Sequence, residues 1–114
     1  MIQPTIYQVL FTDIYIKALD SIKRHGRTIA VAIQEEAEGL SIYPEKKGYP
    51  LTRELNGLWS KRVYYQRYRI IYRIQNDPKS PSVEILFVGI RKEGSKSDVY
   101  EQAKKVLRKS SKAR

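Results

Sequence analysis

Tyr68-Arg69-Ile70-Ile71-Tyr72-Arg73, set within the longer stretch from Leu58 to Arg91, decides how this chain reads. A strand points successive side chains to opposite faces. Arg69, Ile71 and Arg73 therefore share one face, and Tyr68, Ile70, Tyr72 and Ile74 share the other. One face can feed a core while the other holds phosphates. Guanidinium groups offer forked donors to phosphate oxygens, and tyrosine rings stack on unpaired bases, a pairing of residue types suited to single-stranded nucleic acid. The same residues also fit a plain solvated edge, because tyrosine favours strands and a row of arginines can face water.

Working outward, residues 58–65, 68–75 and 82–90 read as three strands, the last two joined by the Asn76-Asp77-Pro78-Lys79-Ser80-Pro81 turn. Val83-Glu84-Ile85-Leu86-Phe87-Val88 is apolar almost throughout, as in a central strand covered on both sides. Toward the N-terminus, residues 5–11 read as a first strand, and Thr12 or Asp13 as the cap of a helix that buries Tyr15, Ala18, Leu19 and Ile22. His25-Gly26 is its expected stop, with His25 a helix-end residue. A second helix over 27–40 carries Ile29, Ile33, Ala37 and Leu40 on its apolar stripe and Glu35, Glu36 and Glu38 on a solvated face. Residues 43–56, rich in Pro, Lys and Gly, read as a loop. A last helix opening at Ser97 or Asp98 bears Val99, Ala103, Val106 and Leu107, and 110–114 is expected to be a frayed basic tail.

At 114 residues the chain is long enough for one core and is expected to form a single domain. Its net charge of +10 is unevenly spread. Seven basic and seven acidic residues precede Leu58, leaving fifteen basic against five acidic from Leu58 onward. A one-sided positive field captures polyanions. Nucleic acid, an acidic protein, or both are the expected partners. No segment reaches the apolar length of a spanning helix and no signal sequence opens the chain, so a cytoplasmic protein without a membrane partner is expected. With no cysteine and only His25, neither a disulfide framework nor a metal site of Cys or His is expected, and no cofactor.

The order strand, two helices, three strands, helix, together with the YRIIYR strand, Gly89-Ile90-Arg91-Lys92 at the end of the last strand and Asp98-Val99-Tyr100 at the last helix, resembles the RelE/ParE superfamily. These are toxins of bacterial toxin-antitoxin pairs. The resemblance implies an α+β fold with two N-terminal helices and one C-terminal helix on a mostly antiparallel four-stranded sheet. RelE-like members are ribonucleases that cut messenger RNA, often on the ribosome; ParE-like members act on DNA gyrase. For the nuclease branch it implies that Arg69 grips the scissile phosphate, that Arg91 steadies the leaving side and that Tyr100 is the base. Arg62, Lys61, Arg67, Arg73, Lys92 and Lys96 would contact the RNA backbone, and a cognate antitoxin would cover the basic face. Two departures stand out. RelE-like members carry two lysines one residue apart on the strand before YRIIYR, whereas Ser60 takes the first of those positions here, with Lys61 on the opposite parity. The loop from Arg91 to Tyr100 is also longer, through Glu93-Gly94-Ser95-Lys96.

RNA carries its own nucleophile, the 2′-hydroxyl, so an enzyme need only align it with the phosphate and stabilise developing charge, without a metal. The leading expectation is a metal-independent endoribonuclease toxin. A ParE-like gyrase inhibitor and a non-catalytic RNA-binding unit remain as alternatives. The spacing of Tyr100 from Ala103 and Leu107 also suits packing, and the strand parity of Arg91 matches Val83, Ile85 and Phe87, which does not by itself aim it at a groove.

Overall fold

The structure is a computed structural model, and it describes residues 3–112. Five strands form one sheet in the order β1-β5-β4-β3-β2, with β1 Gln8–Phe11, β2 Tyr49–Pro50, β3 Trp59–Val63, β4 Tyr68–Gln75 and β5 Ser82–Ile90. All neighbours are antiparallel except β1, which lies parallel to β5. The helices are α1 Asp13–Lys23, α2 Arg27–Glu38 and α3 Val99–Lys112. The fold is α+β as expected, but the four-stranded sheet is corrected to five. The added strand, β2, arises inside the stretch read as a loop. Two residues are too few to show an alternating pattern, and Pro50 is tolerated because β2 is an edge. The first strand is also shorter than expected, since before Gln8 only Ile6 forms an isolated bridge, to Ile42.

Local chemistry sets the helix ends. Thr12 Oγ1 accepts from the Tyr15 amide at 3.2 Å and donates to the Ile85 carbonyl at 2.8 Å, so one hydroxyl caps α1 and ties it to the central strand. Helix α1 stops at Lys23, and Gly26 opens α2 as its N-cap. A Cβ on Gly26 would lie 2.9 Å from Ile29 Cδ1. Helix α2 ends at Glu38 and a 3-10 turn, Gly39–Ser41, carries the buried Leu40. At the C-terminal end Asp98 caps α3, its Oδ2 accepting from the Tyr100 amide at 3.1 Å. That helix continues to Lys112, past the expected fraying point at Ser110, and 113–114 lie outside the described residues.

Each face of the sheet has its own apolar cluster. Tyr15, Ile33, Ala37 and Leu40 meet Val63, Ile70, Tyr72, Val83, Ile85 and Val88 on the side of α1 and α2. Leu55, Leu58, Ile71 and Leu86 meet Val99 and Ala103 on the side of α3. The register explains how β5 serves both. Ile71 pairs with Phe87 but Tyr72 pairs with Ile85, so Leu86 is one extra residue, a β-bulge. Parity reverses across it. Val83 and Ile85 face α1 and α2, while Phe87 and Gly89 turn to α3, a Cβ on Gly89 falling 3.0 Å from Val99. Arg91 continues that second parity and reaches the α3 side, which strict alternation from Val83 would not reveal.

Candidate functional site

The residues of interest gather where β2, β3, β4, the end of β5 and the start of α3 converge. Position comes first from glycine and tyrosine packing. Tyr72 is fully buried, stacks at 6.4 Å on Trp59 and donates its hydroxyl to the Pro44 carbonyl at 2.7 Å, pinning the segment before β2. Gly48 then passes so close that a Cβ would lie 2.3 Å from the Tyr72 hydroxyl and 2.5 Å from the Ser60 carbonyl. Only glycine permits that approach. It lays Tyr49 directly against Ser60, its registered partner on β3.

The Tyr49 and Tyr100 hydroxyls lie 2.7 Å apart, and Tyr100 also shares a hydrogen bond of 2.8 Å with Ser60 Oγ. Arg69 Nε donates to the Tyr49 hydroxyl at 3.4 Å. Arg69 is 8% exposed as a residue, and its guanidinium is fixed by the Gln66 and Tyr68 carbonyls. Gln66 belongs to a β3–β4 turn in which Tyr64, Tyr65 and Gln66 all take left-handed φ, of 49°, 55° and 64°, so β3 ends at Val63 and not at the expected 65. Arg62, paired in register with Arg69, holds its guanidinium 5.2 Å from the Tyr49 ring centre. On the other flank Arg91 places its guanidinium 4.9 Å from the Tyr100 ring centre and donates to Asp98 Oδ1 at 2.7 Å.

Asp98, 3% exposed, organises that flank. Besides Arg91 it accepts from the Lys92 amide at 2.6 Å and the Tyr100 amide at 3.1 Å, closing the enlarged loop onto the first turn of α3. Burial pushes the Asp98 carboxyl up, but the hydrogen bonds from Arg91, Lys92 and Tyr100 and the charge of Arg91 outweigh it and hold the group below its usual range. The hydrogen bond to Asp98 correspondingly raises Arg91. The two phenols diverge. Burial pushes Tyr49 up, yet hydrogen bonds from Tyr100 and Arg69, with the charge of Arg69, bring it down to about 8. Tyr100 is raised, first by burial and further by its bond to Tyr49 and the negative charge forming there, against a lowering by Ser60 and Arg69.

The structure therefore brings Arg62, Arg69, Arg91 and Tyr100 together. Arg67 is nearby and exposed at the β3–β4 turn, its carbonyl accepting from the Arg91 amide at 2.7 Å. Lys92 and Lys96 lie on the loop above Asp98, Lys96 lining a depression of about 370 Å³ beside Arg91 and Tyr100. Two expected contacts fall elsewhere. Lys61 points to the opposite face, pairing with Glu36 of α2 at 3.1 Å. Arg73 sits further along β4, paired with Glu84 at 3.1 Å and lining a separate depression with Lys104 and Arg108. Tyr49 and the positioning role of Asp98 were not apparent from sequence. The one available signal was a glycine-aromatic pair, Gly48-Tyr49, inside a stretch of loop composition. Among the described residues no helix is long and apolar enough to cross a membrane.

No protein-family model matches the chain, and no curated protein matches it. Solved structures do. One chain of the toxin-antitoxin complex RelBE2 from Mycobacterium tuberculosis is 36% identical, the match covering 75% of this chain and 99% of that one with a TM-score of 0.65. The YoeB/ParE toxin from Agrobacterium tumefaciens, at 14% identity, shares the fold, with a TM-score of 0.58 over 75% of this chain and 99% of that one. With 36% identity over nearly the whole of the first of these chains, this chain belongs to the RelE/ParE superfamily of toxins.

Proposed function

We propose that this chain is the toxin of a toxin-antitoxin pair, that a cognate antitoxin neutralises it, and that it acts in the cytoplasm as a metal-independent endoribonuclease on messenger RNA, including RNA held on the ribosome. The observation that carries the reading is the hydrogen-bonded row Arg69–Tyr49–Tyr100–Ser60 flanked by the guanidinium groups of Arg62 and Arg91. A gyrase-binding surface has no evident use for two touching phenols held beside a buried arginine.

In this reading Arg69, pre-set by backbone carbonyls, binds a non-bridging oxygen of the scissile phosphate and favours charge build-up there. Arg62 and Arg67 extend the grip along the backbone, and Arg91 steadies the leaving side. The tyrosine pair supplies the proton acceptor for the 2′-hydroxyl. Attack forms the O2′–P bond and breaks the P–O5′ bond, giving a 2′,3′-cyclic phosphate and a 5′-hydroxyl end.

The experiment is incubation of the purified toxin with single-stranded RNA and with translating ribosomes, in EDTA, followed by end-group analysis of the fragments. Cyclic phosphate ends that vanish when the antitoxin is added are expected. Intact RNA in both settings together with inhibited supercoiling by gyrase would overturn the nuclease reading in favour of the ParE-like one. Arg69→Ala is expected to lower both RNA affinity and single-turnover rate, since it removes a charge-assisted contact made before and during the reaction.

A further inference from the structure

The row of hydroxyls contains two phenols, and their surroundings differ in charge. On the Tyr100 side the guanidinium that lies over the ring, Arg91, is neutralised by Asp98 at 2.7 Å, with Glu93 at 3.9 Å. The depression there is lined by three carboxylates, Glu93, Asp98 and Glu101, against Arg91 and Lys96. On the Tyr49 side the balance is reversed. Arg69 and Arg62 form no ion pair with a carboxylate among the described residues. Arg69 is satisfied by neutral backbone carbonyls and the Tyr49 hydroxyl, leaving its charge uncompensated. The depression on this side, about 230 Å³, is lined by Lys46, Lys47 and Arg62 with Gly48 and Tyr49, and by no carboxylate. Among the described residues Lys47 is held by the Gly39 carbonyl at 2.7 Å and by no carboxylate, and Lys46 lies over the Tyr43 ring at 5.0 Å. A polyanion is drawn to the Tyr49 side, and a phenolate is stabilised there.

Hydrogen-bond counting points the same way. Arg69 Nε can only donate, and the Tyr100 hydroxyl can turn its single proton toward Tyr49 while accepting from Ser60. An ionised Tyr49 thus meets two donors, one of them cationic. An ionised Tyr100 would instead face two neutral hydroxyls, deeper against the α3 cluster, with Arg69 acting on it through charge but bonded to Tyr49, and with the arginine over its ring already paired to Asp98.

We propose that Tyr49 is the catalytic base, that Tyr100 is a positioning residue which donates to its phenolate, and that Lys46 and Lys47 carry the RNA backbone to it. The inference rests on the RNA-cleaving reading above and assigns to Tyr49 the role that the family resemblance implies for Tyr100. In the step, the Tyr49 oxygen takes the 2′-hydroxyl proton as O2′ bonds to phosphorus. The 5′-oxygen leaves with the electron pair of its bond and takes a proton from water. With Tyr49 titrating at about 8 instead of its ordinary value, the phenolate fraction at pH 7 rises about a hundredfold.

The test is single-turnover cleavage of single-stranded RNA between about pH 6 and 10 by the parent, Tyr49→Phe, Tyr100→Phe and Lys46→Ala/Lys47→Ala, with RNA binding and melting measured for each. The parent rate should climb with pH and level off near 8. Tyr49→Phe should bind RNA and fold as the parent does but lose about 10²–10⁴-fold in rate, together with that climb. Tyr100→Phe should keep the climb but level off at higher pH, because the phenolate has lost a donor. The double lysine variant should lose RNA affinity with its pH profile intact. A second readout, ¹³C NMR of ring-labelled tyrosine, should place the first-titrating phenol at Tyr49. If Tyr49→Phe retains the climb while Tyr100→Phe abolishes it, Tyr100 is the base and the inference fails with the nuclease reading intact. A parent that cuts no RNA sinks both.

Discussion

Replacing Asp98 by alanine removes one carboxylate that performs three tasks at once. It caps α3 through the Tyr100 amide, closes the loop through the Lys92 amide and pairs with Arg91. Loss of an N-cap costs about 1 kcal/mol. The remaining partners add to this, because the carboxylate is buried and its removal strands two donors, while Arg91, 28% exposed, recovers part of its loss from water. A total of about 3 kcal/mol follows, short of the full cost of orphaning a deeply buried charge. For a chain of 114 residues this corresponds to a melting temperature lower by about 12 °C. Asp98→Asn separates the parts: asparagine still caps a helix but carries no charge for Arg91, so it should lose less than half as much. The pH dependence has a definite sign. Asp98 titrates below its ordinary value when folded, so its contribution is complete above the unfolded pKa and disappears as pH falls through the folded one. Calorimetry of the parent and both variants from neutral to acid pH should therefore show the curves converging on acidification. An alanine variant melting within about 2 °C of the parent at neutral pH would refute the reasoning, since it would mean that water satisfies these groups as well as the carboxylate does.

Three further outcomes are expected. Gly48→Ala should fold with a displaced β2 and lose most cleavage, because its Cβ meets the Ser60 backbone at 2.5 Å and moves Tyr49 off Tyr100; a parent-like rate in the same single-turnover assay would count against the site. Tyr72→Phe should destabilise the fold by about 1–3 kcal/mol in urea unfolding, since it leaves the buried Pro44 carbonyl without its donor. Arg62→Ala should weaken RNA binding and flatten the log-log salt slope by about 0.7, whereas Lys61→Ala, on the face of α2, should change neither; equal effects of the two would contradict the strand orientation.

The strands β4 and β5 were readable to the residue because each is long, continuous and bounded by turn chemistry at Asn76-Asp77 and Pro81. The face of Arg69 followed from simple alternation on β4, while its role and the choice of Arg62 on β3 came from the family resemblance. Alternation failed at Leu86, where the inserted residue is as apolar as its neighbours, so nothing in the run Ile85-Leu86-Phe87 betrays the reversal that carries Arg91 to the site. Tyr49 was hidden for another reason. Its strand is two residues long, and what holds it is a tertiary approach of Gly48 to Tyr72 and Ser60, information that no local pattern contains. Lys61 shows the converse, a basic residue in a basic stretch whose partner is an acidic helix on the far side.

The parallel pairing of β1 with β5 has a consequence for the order of events during folding. Thr12, just past β1, finds its partner carbonyl on Ile85, 73 residues along the chain, so β1 waits for the last strand of the sheet. Contacts of such long sequence separation form slowly, because a large loop must close before they contribute. The hydroxyl row obeys the same timetable, since Tyr49, Ser60 and Arg69 are synthesised well before Arg91 and Tyr100. A growing chain can display its arginines while neither the β1–β5 ladder nor the Tyr49–Tyr100 contact yet exists. Assembly of the site waits for the first turn of α3.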